Sequence, residues 1–280
     1  MAKSLKIALV GAGHMGGALA AGWLRTRRGG VAPENLIVVD PAPGEAAQGL
    51  IETHGLVHTD ALTLEMADTV DIVVLAVKPQ SLEQVATSLS PLLRPDTALV
   101  SIMAGTTLSR LSLAFGDRPI IRAMPNTAAA VGAGVSVCVA NAAAEPLKPA
   151  VERLFKTAGS VEWLRDERLI GAVTAVSGSG PAYVFLLAEA LAGAGTAEGL
   201  PRELAERLAR ETIIGAGALL AGTDKSPQEL RRAVTSPGGT TQAALDALMG
   251  SGVGLPELVR NAVSAAERRS RQMGNGGRER

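Results

Sequence analysis

The 280-residue chain changes its hydrophobic rhythm once. Up to about residue 164, apolar runs of four to seven residues alternate with stretches whose apolar positions recur every three or four. The runs at Leu5 to Val10, Leu36 to Val39, Asp71 to Val77, Ala98 to Met103, Pro119 to Ala123 and Val161 to Leu164 predict strands. The DIVVLAV run at Asp71 to Val77 is continuously apolar, the mark of a strand covered on both faces. Gly134 to Ala140 alternates instead and reads as an added outer strand. Helical periods fall between the runs, at about Met15 to Arg28, Asp60 to Met66, Ser81 to Leu93, Leu108 to Phe115 and Pro146 to Thr157. No element is assigned between residues 41 and 59. Strand and helix in alternation predict an α/β fold with an N-terminal doubly wound Rossmann-type sheet.

Beyond residue 164 the strand signal stops. Arg168 to Gly195, Pro201 to Leu220, Pro227 to Ala233, Thr241 to Met249 and Leu255 to Met273 carry helical periods punctuated by Gly and Pro. The expected organisation is two domains, 1–164 and 165–280, the second all-α. Its Ala- and Gly-rich helices, such as Ile213 to Ala221, would expose much apolar surface alone, so a C-terminal dimerisation domain is expected. Leu169 to Ala188 is twenty residues without a charge, long enough to span a bilayer. Glycine, serine and Pro181 dilute it, and at Ser177-Gly178-Ser179-Gly180-Pro181-Ala182-Tyr183 the helix is expected either to kink for packing or to bring its backbone close to something. The expectation is a buried interface helix in a cytoplasmic protein with no membrane partner.

Composition narrows the function classes. Only six residues are aromatic, and 27 Lys and Arg balance 27 Asp and Glu. No net field draws nucleic acid, and base stacking lacks its aromatics. Cys138 is the only cysteine, which excludes an internal disulfide and any multi-cysteine zinc site. His14, His54 and His58 show no metal-ligand spacing, so no metal is expected.

The first strand runs into Gly11-Ala12-Gly13-His14-Met15-Gly16 and a helix. In a GxGxxG so placed, the first glycine makes the tight turn, the second admits a pyrophosphate and the third lets helix and strand pack closely. The second strand ends at Asp40, whose carboxylate can accept from both ribose hydroxyls of an adenosine. Ligands of doubly wound sheets bind beyond the carboxyl ends of the strands. That edge also receives Ala76-Val77-Lys78-Pro79, Met103-Ala104-Gly105 and Met124-Pro125-Asn126-Thr127, and together these outline a dinucleotide groove. His14 reads as facing solvent or cofactor, with no proton to transfer.

A second candidate site lies at Ser236-Pro237-Gly238-Gly239-Thr240-Thr241. Ser236 is expected as an N-cap and Pro237 at the first helical position, with unshielded N–H groups at Gly238 and Gly239. Such a helix start binds a carboxylate or phosphate, and the hydroxyls of Thr240 and Thr241 can bond a neighbouring ligand atom.

The ordered set GAGHMGGAL, AVKPQ, SIMAG, RAMPNT, SGSGPAYVF and LRRAVTSPGGTT, spread over almost the whole chain, resembles pyrroline-5-carboxylate reductase. The last two motifs are specific, whereas the Rossmann turn is shared by many dehydrogenases. The resemblance implies reduction of the cyclic imine acid 1-pyrroline-5-carboxylate to proline, the last step of proline biosynthesis, with NAD(P)H as hydride donor. It also implies a homodimer interleaved through the helical domain, often with dimers assembled into a ring. The family's substrate loop falls on Ser236 to Thr241, which implies carboxylate binding there, with Thr241 bonding the ring nitrogen as the catalytic contact. Ala128 replaces the proline of the usual MPNTP but leaves Asn126 available. Members usually favour NADPH and carry polar or basic residues after the second strand. Here Asp40-Pro41-Ala42-Pro43 offers nothing positive, and a carboxylate repels a 2′-phosphate, which leans the cofactor toward NADH. No histidine or lysine lies in the two C-terminal motifs, so no general acid is assigned.

Two other readings stand beside this one. A β-hydroxy acid dehydrogenase would share the Gly-rich turn but needs a lysine on the first interdomain helix, and Arg168 to Tyr183 has none. A nucleotide-sensing protein without catalysis would bind NAD(P) and capture a partner instead of consuming an imine.

Overall fold

A computed structural model describes residues 5–25, 30–252 and 254–275. Its N-terminal half is an eight-stranded sheet of order β3-β2-β1-β4-β5-β6-β7-β8. The strands are β1 (Ile7–Val10), β2 (Leu36–Val39), β3 (Val57–Thr59), β4 (Ile72–Leu75), β5 (Ala98–Ser101), β6 (Ile120–Met124), β7 (Gly134–Ala140) and β8 (Gly159–Trp163). All neighbours are parallel except β6 and β7. The chain winds outward from β1 to β3, then returns to lay β4 against the other side of β1. That reversal opens a crevice beyond the ends of β1 and β4.

Helices cover both faces, so the central strands β1, β2, β4 and β5 are buried throughout. The helices are α1 (His14–Arg25), α2 (Glu45–His54), α3 (Leu64–Thr69), α4 (Leu82–Leu89), α5 (Leu108–Phe115) and α6 (Lys148–Lys156). Ile7 and Leu9 of β1 join a cluster with Leu19 and Trp23 of α1, Ile51 of α2 and Phe155 of α6. Ala8 and Val10 point the other way, to Ala67 of α3, Leu82 and Leu89 of α4, and Leu111 and Phe115 of α5.

The structure corrects three expectations and sharpens a fourth. The segment left without elements holds α2 and β3, and the helix expected at Asp60 to Met66 begins only at Leu64, where the Thr63 hydroxyl caps it by accepting from the Met66 N–H. Gly134–Ala140 is not outermost, because β8 pairs beyond it. The single helix expected over Arg168 to Gly195 is broken into α7 (Ile170–Val173), a π-helical turn (Thr174–Gly178) and α8 (Gly180–Ala197). The hydroxyls of Thr174 and Ser177 bond back to the carbonyls of Ile170 and Val173, and Pro181 has no N–H to continue the ladder. Of the helix expected over Met15 to Arg28, positions 26–28 lie outside the described residues.

The remaining helices are α9 (Arg202–Ala221), α10 (Pro227–Ala233), α11 (Thr240–Leu248) and α12 (Leu255–Asn275). By compactness the chain divides after Gly178, and the residues from Ala266 onward belong to the first unit. The cause is packing: Ile170 of α7 is buried with Val137 and Val139 of β7, and Gly171 faces Glu267 and Arg271 of α12. Ser179 to Ala265 form the second unit, in which Gly195 of α8 leaves room for Leu200 and Ala205.

Candidate active site

The crevice beyond β1 and β4 is built by the Gly-rich turn. Gly11 has φ of +94°, in the left-handed region, and a Cβ there would stand 2.8 Å from the Ala76 carbonyl at the end of β4. A Cβ on Gly16 would run into the Gly11 carbonyl oxygen, so α1 can approach β1 this closely only with glycine at that position. Gly13 differs: a Cβ there would meet nothing within 4 Å. Its open side adjoins the start of α1, whose first turn carries no acidic residue. Free N–H groups and the positive helix end suit a pyrophosphate there, so the turn fits a dinucleotide. His14 is exposed and Met15 half-buried at the same helix start.

Asp40 closes one side of the turn. Its Oδ2 accepts from Ala12 N–H at 2.6 Å and its Oδ1 from Ala42 N–H at 2.8 Å. A cavity of about 310 Å³ extends from there, lined by Gly11, Asp40 and Val77 among the expected residues. Ala76 supports it from β4 through its N–H to the Val10 carbonyl, 2.7 Å. Pro79 starts the 3-10 turn Pro79–Ser81, and Lys78 before it is exposed and does not line the cavity. Asp60, Ala61, Ser81, Gln84 and Ser88 also line it, and sequence reasoning missed all five. Asp60 follows β3, a strand too short and polar to read from its pattern.

Ala104 and Gly105 follow β5, but Gly105 lines a different cavity, of about 340 Å³, with Thr107, Arg122 and Glu167. The end of α12 lies on it: a Cβ on Gly105 would stand 3.1 Å from Met273. Asn126 begins the turn after β6 and accepts from the Val135 N–H at 3.1 Å, tying that turn to β7. Beneath these turns Arg122 of β6 is buried, and its Nη1 donates to Glu167 Oε1 at 2.8 Å. The same oxygen accepts the Leu108 N–H at the start of α5, also at 2.8 Å. This strut was not anticipated. Its one sequence signal was a charge in the otherwise apolar run IIRAM.

Cys138 is fully buried, and burial first, then the charge of Glu152, pushes its thiol up to about 12. It is no nucleophile at neutral pH.

In the second unit the helix start is displaced from its expected place. Ser236 is not the N-cap. Pro237 and Gly238 form a turn closed by Gly239 N–H to Ser236 O at 3.0 Å, with Gly238 at φ of +70°. Pro-Gly at the centre of a turn prefers this arrangement, and it delays α11 to Thr240 with Gly239 as N-cap. No side chain caps the helix, and its first bond is Ala243 N–H to Gly239 O at 3.2 Å. The N–H groups of Thr240, Thr241 and Gln242 therefore precede the helical ladder. A Cβ on Gly239 would collide with Ser236 Oγ, so this glycine serves close packing within the turn.

Comparison with known proteins bears on both units. Residues 167–273 match the family described as pyrroline-5-carboxylate reductase dimerisation, and residues 6–105 match the one described as NADP oxidoreductase, coenzyme F420-dependent. A pyrroline-5-carboxylate reductase of Pseudomonas aeruginosa is 39% identical over 277 residues, 96% of each chain. The solved pyrroline-5-carboxylate reductase of Coxiella burnetii superposes with a TM-score of 0.87 at 34% identity, covering 97% of this chain and 99% of that one. The Plasmodium falciparum enzyme, solved with NADP bound, gives 0.82 at 32%, covering 96% and 98%.

Proposed function

The chain belongs to the pyrroline-5-carboxylate reductase family, and on that premise we propose how its residues divide the reduction of 1-pyrroline-5-carboxylate to proline. It is an NAD(P)H-dependent oxidoreductase of proline biosynthesis, the family norm being NADPH. When bound, the reduced nicotinamide supplies the hydride for the imine carbon.

The crevice at β1 and β4 holds the dinucleotide. Gly11, Ala12, Gly13, His14, Met15 and Gly16 receive its pyrophosphate, and Asp40 its adenosine ribose. Ala76 to Pro79, Ala104, Gly105 and Asn126 form the remaining turns at that edge. Ser236 to Thr241 hold the substrate. The uncapped start of α11, a nine-residue helix, carries this assignment: bare N–H groups at a positive helix end suit the imine's carboxylate. Thr241 Oγ1 bonds the ring nitrogen, and the chain's task is to bind and orient, which alone lowers a bimolecular barrier by several kcal/mol. No histidine or lysine of the chain is assigned as general acid. The enzyme works in the cytoplasm as a homodimer through its helical region, with rings of dimers as a further assembly.

Thr241→Ala tests the substrate half. The Michaelis constant for the imine is expected to rise about tenfold, the value of one hydrogen bond, with lower turnover and unchanged affinity for the dinucleotide in calorimetry. Equal loss of nucleotide affinity would remove the loop from its assigned role.

A further inference from the structure

We infer that this enzyme selects NADH over NADPH, against its family norm, through a ribose pocket with two carboxylates and no basic side chain among its lining residues; the inference rests on placing the dinucleotide in the β1/β4 crevice. β2 and β3 are parallel neighbours in the register Val39↔Thr59. The next residue of each strand, Asp40 and Asp60, therefore emerges at one edge of the sheet, and both line the 310 Å³ cavity. Among the described residues, no lysine, arginine or histidine does.

Backbone donors are taken as well. Asp40 N–H bonds the Thr59 carbonyl at 3.1 Å and Ala42 N–H bonds Asp40 Oδ1 at 2.8 Å. Gly44 N–H bonds the Ala12 carbonyl at 3.0 Å, and Pro41 and Pro43 have no N–H. Every donor from 40 to 44 thus has an internal partner. His58 is turned to the Asp40 carbonyl oxygen, with Nε2 at 2.8 Å.

A 2′-phosphate brings close to two negative charges and acceptor oxygens only. At this edge it would meet Asp40 and Asp60, no basic residue among the described lining and no free backbone N–H from 40 to 44, with only the neutral donors of Ser81, Gln84 and Ser88 on the cavity wall. A 2′-hydroxyl reverses the match, because it donates and the Asp40 carboxylate, held by two N–H groups, keeps lone pairs to accept. This is the acidic ribose contact that separates NAD from NADP sites in Rossmann folds, here reinforced by a second acid on the adjacent strand.

Calorimetric titration of the wild-type protein with NADH and with NADPH tests the inference without turnover. NADH is expected to bind at least tenfold more tightly, and equal or tighter binding of NADPH overturns the selectivity while leaving the crevice as the nucleotide site. Failure of both to bind overturns the crevice reading itself. Asp40→Ser should bring the ratio to within about threefold of unity. Since Asp40 also holds the Gly-rich turn, the exposed Asp60→Lys is the second variant. It should tighten NADPH severalfold with little change for NADH, and an unchanged ratio in both variants would remove the two acids as determinants.

Discussion

The two units are built on opposite economies of apolar surface. The first buries both faces of its sheet in continuous clusters that take in Trp23, Phe115 and Phe155. Among the described residues of the second, the buried apolar side chains are Ala205 and Ala209, while Phe185 and Leu186 are 69% and 63% exposed. Helix α8 has one charge, Glu189, in eighteen residues, and a helix apolar on all sides belongs inside something. The first unit completes its own core, and the second leaves its apolar helices exposed, which agrees with its match to a family described by dimerisation. The residues assigned to the nucleotide sit on the self-sufficient unit, and those assigned to the substrate sit on the one whose apolar surface is left exposed.

The most severe test is to deny the second unit its partner. Leu186→Asp is expected to yield monomer in sedimentation equilibrium and to lower reductase turnover roughly tenfold or more, because the stability of such a unit is inseparable from association. A variant that stays dimeric and active would end the contrast. Phe155→Ala asks the reverse question of the first unit. A loss of about 3–5 kcal/mol in denaturant unfolding is expected, and it should not vary with protein concentration, unlike the Leu186 effect. Glu167→Gln is milder, about 1–2 kcal/mol, because the amide oxygen still accepts from Leu108 while the charge facing Arg122 is gone. Its thermal shift should disappear in the Arg122→Met background. If it persists undiminished, the strut is not what Glu167 contributes.

The first unit was largely legible because its signals are local. An apolar run, a Gly-rich turn and a helical period each lie within a dozen residues, and β1, β2, α5 and the packing roles of Gly11 and Gly16 follow from them. What escaped lacked such a signal. β3 is three residues, Val-His-Thr, held by pairing with β2 and not by its own pattern. Arg122 and Glu167 are 45 positions apart, and only folding brings them within bonding distance. At Ser236 two local preferences competed: serine favours an N-cap, but Pro-Gly favours a turn, and the turn won and moved the helix start to Thr240. The break between α7 and α8 falls where small residues and Pro181 left a kink and a close backbone approach as alternatives, and the hydroxyls that bond backward accompany the kink.

Helix α12 starts in the second unit, and its last turns return to the first, where Met273 and Gly274 cover Gly105. The two units are therefore not modules that evolution or an engineer can exchange with one splice. A foreign helical half joined after Gly178 would arrive without the closing turns and leave the bend after β5 bare. Recombination within this family must cut twice, or carry its own lid along.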